Sequence, residues 1–452
     1  MDATGSDQHP TVAAIATAAA TGAVSMIRVS GPKAIEIAGK ACDGQIQRLA
    51  HGEVRYCKIR DTMGEVIDDG LLTFMRAPRS YTGEDTIEFT GHGGILVTRE
   101  VLARFLACGA EAAGPGEFTQ RAFLNGKLDL TQAEGVMDLI SAQTRLSMRA
   151  ARGQLEGYLG RQTTKARDEL LGCLAHLEAW IDFPDEDIDP QTGQELKQRI
   201  EVVLATTSKL LATADQGRIL REGVRTVICG PPNVGKSSLL NQLLGFERAI
   251  VSETAGTTRD TIEETINMNG LPLRLIDTAG MREAGDAIEA EGIQRTQRQI
   301  EQADLILEIA DASIERTQIA SFGDGSSKHL LILNKSDLQT HESWKDVDAV
   351  CISCTEQRGF EELSEKIRQL LNFDKVDWGE HMIAINARHQ QSLLRAQEAL
   401  AAALQLLDPK STNAELASVD LREALDALGE IPGKVDTEDL LGVIFSSFCI
   451  GK

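Results

Sequence analysis

The stretch Gly230-Pro-Pro-Asn-Val-Gly-Lys-Ser237 decides how the rest of this chain is read. It satisfies G-x-x-x-x-G-K-[ST], the pattern of a phosphate-binding loop. The run before it, Arg225 to Cys229, is short and β-prone, and the run after it, Ser238 to Leu244, opens an apolar helix. The motif therefore sits where a strand turns into a helix, so that backbone N–H groups and a helix N-terminus can converge on an anion. In this reading Gly230 and Gly235 permit the tight path and Lys236 reaches the β- and γ-phosphates. Ser237 supplies a hydroxyl to Mg²⁺, and Asn233, Val234 and Ser238 line the same loop.

Four more motifs lie downstream. Asp277-Thr278-Ala279-Gly280 closes an apolar run; its Asp can hold Mg²⁺ through water and its Gly N–H can sense a γ-phosphate. Between it and the first loop lie Ser252, Glu253, Thr254, Ala255, Gly256, Thr257 and Thr258, with Thr258 as the switch hydroxyl for Mg²⁺. Asn334-Lys335-Ser336-Asp337 starts about 100 residues after the first loop, at the end of another apolar run. The Asp337 carboxylate can accept from the N1–H and N2 amino group of guanine. Adenine offers neither donor and would leave a buried carboxylate unpaired, at a cost of ~1–3 kcal/mol. Ser353, Cys354 and Thr355 take the fifth position, beside the base. Four ordered motifs make a Ras-like GTPase. Ras-type enzymes orient the attacking water with a Gln directly after the Gly of D-x-x-G. Met281 stands there instead, and Glu289 is the nearest candidate to position the water.

Composition bounds the remainder. At 452 residues the chain needs more than one core. Eight cysteines spread over this length do not form a disulfide framework, and a cytoplasmic location fits. Cys351 and Cys354 make one C-x-x-C, read as strand-end residues rather than a metal or redox site. No apolar run approaches the ~18 residues of a spanning helix, so no membrane role is expected. The formal charge of −22 and an aromatic content of 4% argue against broad, non-specific nucleic-acid binding. An RNA partner would need a local basic patch or a second protein.

Outward from the nucleotide motifs, Val224–Cys229, Leu271–Ile276, Leu305–Ala310, Leu330–Leu333 and Val350–Ser353 read as strands of a doubly wound, mostly parallel sheet. Glu308 interrupts one of them with a charge where a buried strand should be apolar. Towards the N-terminus the pattern is mixed: Val24–Val29 and Thr86–Thr90 read as strands, Pro32–Ala41 and Ile95–Leu106 as helices, and Gly91–Gly94 as a turn. His92 in that turn is read as structural. Ala133, Val136, Met137, Ile140 and Leu146 form one helical stripe, and Leu196, Ile200, Val203, Leu204 and Leu211 a second. The acidic run Ile181–Pro190 between them is read as a solvated linker. Leu393, Leu394, Leu400, Leu404 and Leu407 mark one long helix after the G motifs. The expected organisation is an α+β domain over 1–126, helices over 127–219, the G domain over 220–374, and helices with an apolar tail over 375–452.

The chain resembles the MnmE (TrmE) family of tRNA-modification GTPases from about Thr11 to Lys452. Beyond the G motifs, the family-like stretches are Ile27-Arg-Val-Ser-Gly-Pro32, Tyr81-Thr-Gly-Glu-Asp85, Gly91-His-Gly-Gly94, Gly114-Pro-Gly-Glu-Phe118, Arg121–Leu130, Ile181–Asp189 and the ending Phe445-Ser-Ser-Phe-Cys-Ile-Gly-Lys452. Ala18-Ala-Ala-Thr-Gly22 departs from the family's Pro/Gly/Arg-rich loop. The resemblance implies an N-terminal folate-binding domain that also dimerises, a discontinuous helical domain and an inserted Ras-like P-loop domain. It implies a homodimer that works with an FAD-dependent MnmG (GidA)-type flavoprotein. Together they add an aminomethyl or carboxymethylaminomethyl group to C5 of the tRNA wobble uridine, using a tetrahydrofolate derivative (5,10-methylene or 5-formyl).

By motif position, Arg28, Glu88, Lys127 and Lys452 are the implied folate contacts. Asn233, Ser252, Thr254 and Thr257 are the implied K⁺ ligands, Glu289 the catalytic glutamate, and Cys449 a further candidate for chemistry. A GTPase switch in ribosome assembly is the alternative, although no appended basic RNA-binding domain accompanies these motifs. A third reading is a self-contained folate-dependent transferase with a regulatory G domain. The tail is expected to pack inward, because Phe445, Phe448 and Ile450 each cost roughly 1.5–3 kcal/mol when left in water.

Overall fold

The computed structural model describes residues 9–182, 191–245, 264–276, 300–316, 327–373, 383–407, 413–433, 438–446 and 448–451. Two compact units divide the chain: residues 1–137 with 430–452, and residues 138–429.

The first unit is built on a six-stranded sheet, order β3-β4-β5-β2-β1-β6. Its strands are β1 (Val12–Ile15), β2 (Val24–Ser30), β3 (Val54–Arg60), β4 (Val66–Met75), β5 (Thr86–His92) and β6 (Glu111–Ala112). All neighbours are antiparallel except β1 and β6. Alternation along β2 and β5 turns Ile27, Val29, Ile87 and Phe89 to one face. There they join Ile37 and Ala38 of α1 (Ala34–Ala41), and Val101 and Phe105 of α2 (Ile95–Ala107) in one core. Val12–Ile15, an alanine-rich run in the sequence, is a strand because it is buried between β2 and β6. The expected turn at 91–94 starts later, since Gly91 and His92 finish β5 by pairing with Ser25 and Val24.

In the second unit the sheet order is β12-β11-β10-β7-β9-β8. Four expected strands are found: β7 (Val224–Cys229) as read, and β9 (Leu271–Leu275), β10 (Leu305–Asp311) and β11 (Lys328–Asn334) with ends moved by one or two residues. β12 (Val350–Cys351) is shorter than expected. The sequence reading missed β8 (Glu264–Met268), which pairs antiparallel with β9 while every other pairing is parallel. An edge strand whose alternation is weak gives little periodic signal. Glu308 is explained by a cross-strand partner: it is buried on β10, and its Oε2 lies 2.8 Å from His329 Nε2 on β11. A paired buried carboxylate satisfies the rule that an apolar strand alone would break.

The first helical stripe is two helices rather than one. α4 (Leu130–Ser141) ends before Thr144, whose Oγ1 accepts from Ser147 N and caps α5 (Arg145–Leu155). Leu146 therefore belongs to α5 and packs on the G-domain core with Ala150. A side-chain cap that satisfies orphan N–H groups outranks a continuous apolar stripe. α6 (Tyr158–Asp182) and α7 (Gln191–Leu211) follow, and the acidic linker lies mostly outside the described residues. Across the G domain, helix Ala387–Leu406 returns to α7, where Gln397 Nε2 donates to Ser208 Oγ at 2.7 Å. Arg422 on helix Ala414–Glu430 pairs with Glu178 of α6. Segments on both sides of the G domain thus share one helical bundle, while Leu394 of the long helix is exposed.

Candidate functional site

The first loop bends between β7 and the helix Lys236–Gly245. Gly230 has φ +143°, and a Cβ there would stand 2.1 Å from Ile309 O; at Gly235, φ +103°, it would stand 2.2 Å from Asn334 Nδ2. Asn233 lies between them at φ +63°. Successive residues in such conformations turn backbone N–H groups into a concave anion nest. Lys236 Nζ donates to Gly230 O at 2.9 Å and to Pro231 O at 2.6 Å, so the loop folds around its own cation. Burial holds that ammonium below its ordinary range. Ser237 and Ser238 are exposed at the mouth.

Asn334 ties three motifs together. Its Nδ2 donates to Val234 O at 2.9 Å, and its Oδ1 accepts from Cys354 N at 3.2 Å. The adjacent Lys335 has φ +63° and donates Nζ to Asp311 Oδ2 at 2.5 Å. Burial raises the Asp311 carboxyl, but the bonds from Lys335 and Ser313 prevail and lower it. Asp337 is exposed, and its Oδ1 accepts from the buried Ser353 hydroxyl at 2.6 Å. That bond, with one from its own backbone, holds the carboxyl below the usual range. An ionised acceptor thus faces outward beside Thr355, which is itself exposed. Cys354 acts through its backbone, and burial followed by the Asp337 charge pushes its thiol up to about 11. Burial and then Glu308 push Cys229, at the base of the loop, up to about 12. Cys351, the other member of the C-x-x-C pair, is exposed, and partial burial raises its thiol too. Ser252, Glu253, Thr254, Ala255, Gly256, Thr257, Thr258, Asp277, Thr278, Ala279, Gly280, Met281, Glu289 and Lys452 lie outside the described residues.

A second cluster lies in the first unit. Arg28 on β2 faces Glu88 on β5, with Nη2 to Oε1 at 2.8 Å, and its guanidinium lies 5.3 Å from the Tyr81 ring and 5.5 Å from Phe118. Beside them runs a polar seam that the sequence reading missed. Buried Arg121 bonds Glu84 at 3.2 Å and Glu117 at 2.6 Å, while Ser30 Oγ donates to Glu84 Oε2 at 2.8 Å. The signal was present: all four residues fall within or next to the family-like stretches around residues 27–32, 81–85, 114–118 and 121–130. Lys127 Nζ donates to Pro78 O at 3.0 Å rather than to the Arg28 cluster.

The chain's ending joins this unit. Phe445 and Phe448 are buried with centroids 5.1 Å apart, packed among Leu130, Ala133 and Leu441. Gly116 N donates to Cys449 O at 3.3 Å, and Pro115 bridges Ile450. A Cβ on Gly116 would stand 2.8 Å from Phe448 Cβ, so the tail needs glycine there. The expected inward packing holds for the two phenylalanines and fails for Ile450, which is 62% exposed. Its backbone is fixed by the bridge to Pro115, and that pairing turns the side chain outward. Cys449 is exposed. His92 N donates to Asp68 Oδ2 at 2.9 Å, and its Nδ1 lies 2.7 Å from Asp68 Oδ1 and 4.0 Å from Asp69 Oδ1. That carboxylate raises the imidazole above its ordinary value.

A profile described as the MnmE helical domain matches residues 130–449, and one described as the GTP-binding protein TrmE N-terminus matches residues 11–127. The chain belongs to the MnmE family. A protein named tRNA modification GTPase MnmE from Akkermansia muciniphila is 51% identical over 448 residues, covering 99% of this chain and 100% of that one. MnmE proteins of the same description from Xanthomonas campestris and Aquifex aeolicus are each 44% identical, over 98% of this chain and 99% of theirs. The helical profile begins before β7 and ends in the tail, so the MnmE helical domain spans the inserted G domain. No helix among the described residues is long and apolar enough to cross a membrane.

Proposed function

We propose that this chain hydrolyses GTP and couples that hydrolysis to modification of tRNA, as the names of its relatives state of them. The observation that carries the nucleotide half is the junction at Asn334, which binds the phosphate loop to the base-reading motifs in one hydrogen-bonded unit. Asp337 selects guanine, because its ionised carboxylate meets two donors that adenine lacks. Lys236 and the loop N–H groups hold the phosphates. Ser237 and Thr258 are assigned to Mg²⁺, Asp277 to its water, and Gly280 to the γ-phosphate.

Asn233, exposed in the phosphate loop, offers an amide oxygen and is assigned as a ligand for a monovalent cation there. Ser252, Thr254 and Thr257 are its assigned partners. Bound K⁺ supplies positive charge next to the phosphates once two G domains pair in a homodimer. Met281 cannot orient water, so Glu289 is assigned that task.

The second half rests on the first unit. Arg28 and Glu88 set a cation beside a carboxylate, against two aromatic rings. Such a donor set fits the flat, hydrogen-bonding ring of a tetrahydrofolate derivative, with Lys127 and Lys452 assigned to its anionic end. Cys449, exposed at the tail, is the candidate group for one-carbon chemistry. The transferred group reaches C5 of the wobble uridine together with an FAD-bearing MnmG-type partner in the cytoplasm. Functional boundaries follow at 1–126, 127–219, 220–374 and 375–452. The test is the tRNA of a strain lacking this gene: the wobble uridine loses its C5 substituent, and restoring the gene returns it. Unchanged uridine overturns the proposal.

A further inference from the structure

A chain of formal charge −22 carries one strongly basic stretch. Residues 143–167 hold Arg145, Arg149, Arg152, Arg161, Lys165 and Arg167 against a single carboxylate, Glu156. The first five cations are exposed. On α5, Arg145, Arg149 and Arg152 follow at i, i+4 and i+7, which stacks them on one face. The opposite face is occupied by buried Ser147, Ala150, Ala151 and Gln154, and Ser147 Oγ donates to Leu220 O at 2.6 Å. The helix is thereby fixed with its arginines outward.

The stripe is continuous across the next turn. Arg152 Nε donates to Glu156 Oε1 at 3.0 Å, and Arg161 Nη1 donates to Glu156 O at 2.5 Å, so both guanidiniums meet at one residue. Lys165 extends the row one turn along α6. Among the described residues, no carboxylate pairs with Arg145, Arg149 or Lys165.

Helix stability does not account for this placement. Arg145 opens α5, where a cation opposes the helix dipole. Arg145 with Arg149 and Arg161 with Lys165 are like-charge i,i+4 pairs, which repel. A polyanion lying along the stripe would relieve that repulsion and release its own counterions. Guanidinium groups also match phosphate in two-pronged geometry.

We propose that this α5–α6 stripe docks the sugar-phosphate backbone of tRNA, an assignment that rests on the tRNA-modifying reading above. It reads charge and not sequence, since phosphate contacts position a nucleic acid without specifying it.

The test compares the full chain with the triple variant Arg145→Gln, Arg149→Gln, Arg152→Gln and with the corresponding triple Lys variant. Binding of labelled, unmodified tRNA is followed by anisotropy from low to moderate salt, with GTP affinity measured in parallel. The Gln variant should bind tRNA roughly 10–100-fold more weakly at low salt, and its log K against log salt should flatten by ~0.7–0.9 per lost phosphate contact. The Lys variant should keep most of the slope, and GTP affinity should not move in either. Equal affinity and slope in the Gln variant would overturn the stripe while leaving the tRNA-modifying reading intact. So would a loss confined to binding of the flavoprotein partner, which would make the stripe a protein interface. If the unaltered chain binds no tRNA under any of these salts, the stripe is refuted. Wobble modification by the unaltered chain then decides the wider reading separately.

Discussion

Both sheets of this molecule have six strands, yet they hold their candidate sites in opposite ways. The G-domain site is made of short contiguous loops at the ends of parallel strands, and its phosphate nest is shaped by backbone conformation. The N-terminal site gathers side chains from β2, the loop around Tyr81, α3 (Glu117–Leu124) and the last residues of the chain. A site carried by backbone conformation tolerates change only where the loop bends. A site carried by packing from distant segments fails when any of them loosens.

The largest expected effect lies on the packing side. Phe448→Ala removes a ring that is 6% exposed and should cost the N-terminal unit ~3–5 kcal/mol. Urea denaturation should show that loss, with GTP affinity unchanged. A parallel loss of GTP affinity would erase the distinction between the two regions.

Gly230→Ala is the matching break on the other side. A residue forced into so rare a conformation costs ~1–3 kcal/mol before its clash with Ile309 O is counted. Nucleotide binding should fall by more than tenfold in titrations with a fluorescent GTP analogue, while the tail stays packed.

Asp337→Asn sharpens the comparison without unfolding anything. Exchanging one acceptor for a donor should weaken GTP roughly tenfold or more and favour xanthosine triphosphate. Competition between the two nucleotides reads the change, and unaltered preference for GTP would remove Asp337 from base recognition.

The smallest effect concerns His92. Its folded pKa is raised by Asp68, so the contact stabilises the unit below the unfolded value of ~6.5 and loses that contribution as pH rises through the folded value. His92→Gln should therefore differ from the unaltered chain at pH 5.5 and match it at pH 9 in thermal unfolding. A difference that grows with pH would have the wrong sign.

The same contrast explains what the sequence disclosed. Four G-domain strands and the phosphate loop were legible because residue type and spacing dictate the backbone there. β8 was not, since an edge strand with weak alternation takes its identity from pairing with β9. The α4–α5 break was hidden by an apolar stripe that ran through it, although Thr144 was a readable cap. Glu308 looked anomalous until His329, on the neighbouring strand, came within reach. In the N-terminal unit the motifs around Tyr81, Gly116 and Phe448 were visible singly, but nothing in their spacing said that Glu84, Arg121 and Glu117 would meet. Ile450 was misjudged because burial was assigned from hydrophobicity alone, and its backbone bridge decides otherwise.

The tail packs in the N-terminal unit, and the proposed one-carbon chemistry there should depend on it while nucleotide binding should not. The most direct measurement removes Cys449 to Lys452 and assays GTP affinity and wobble-uridine modification on the same preparation, with the flavoprotein partner present. The account predicts unchanged GTP affinity and no modified uridine. Modification at the level of the full chain would contradict it.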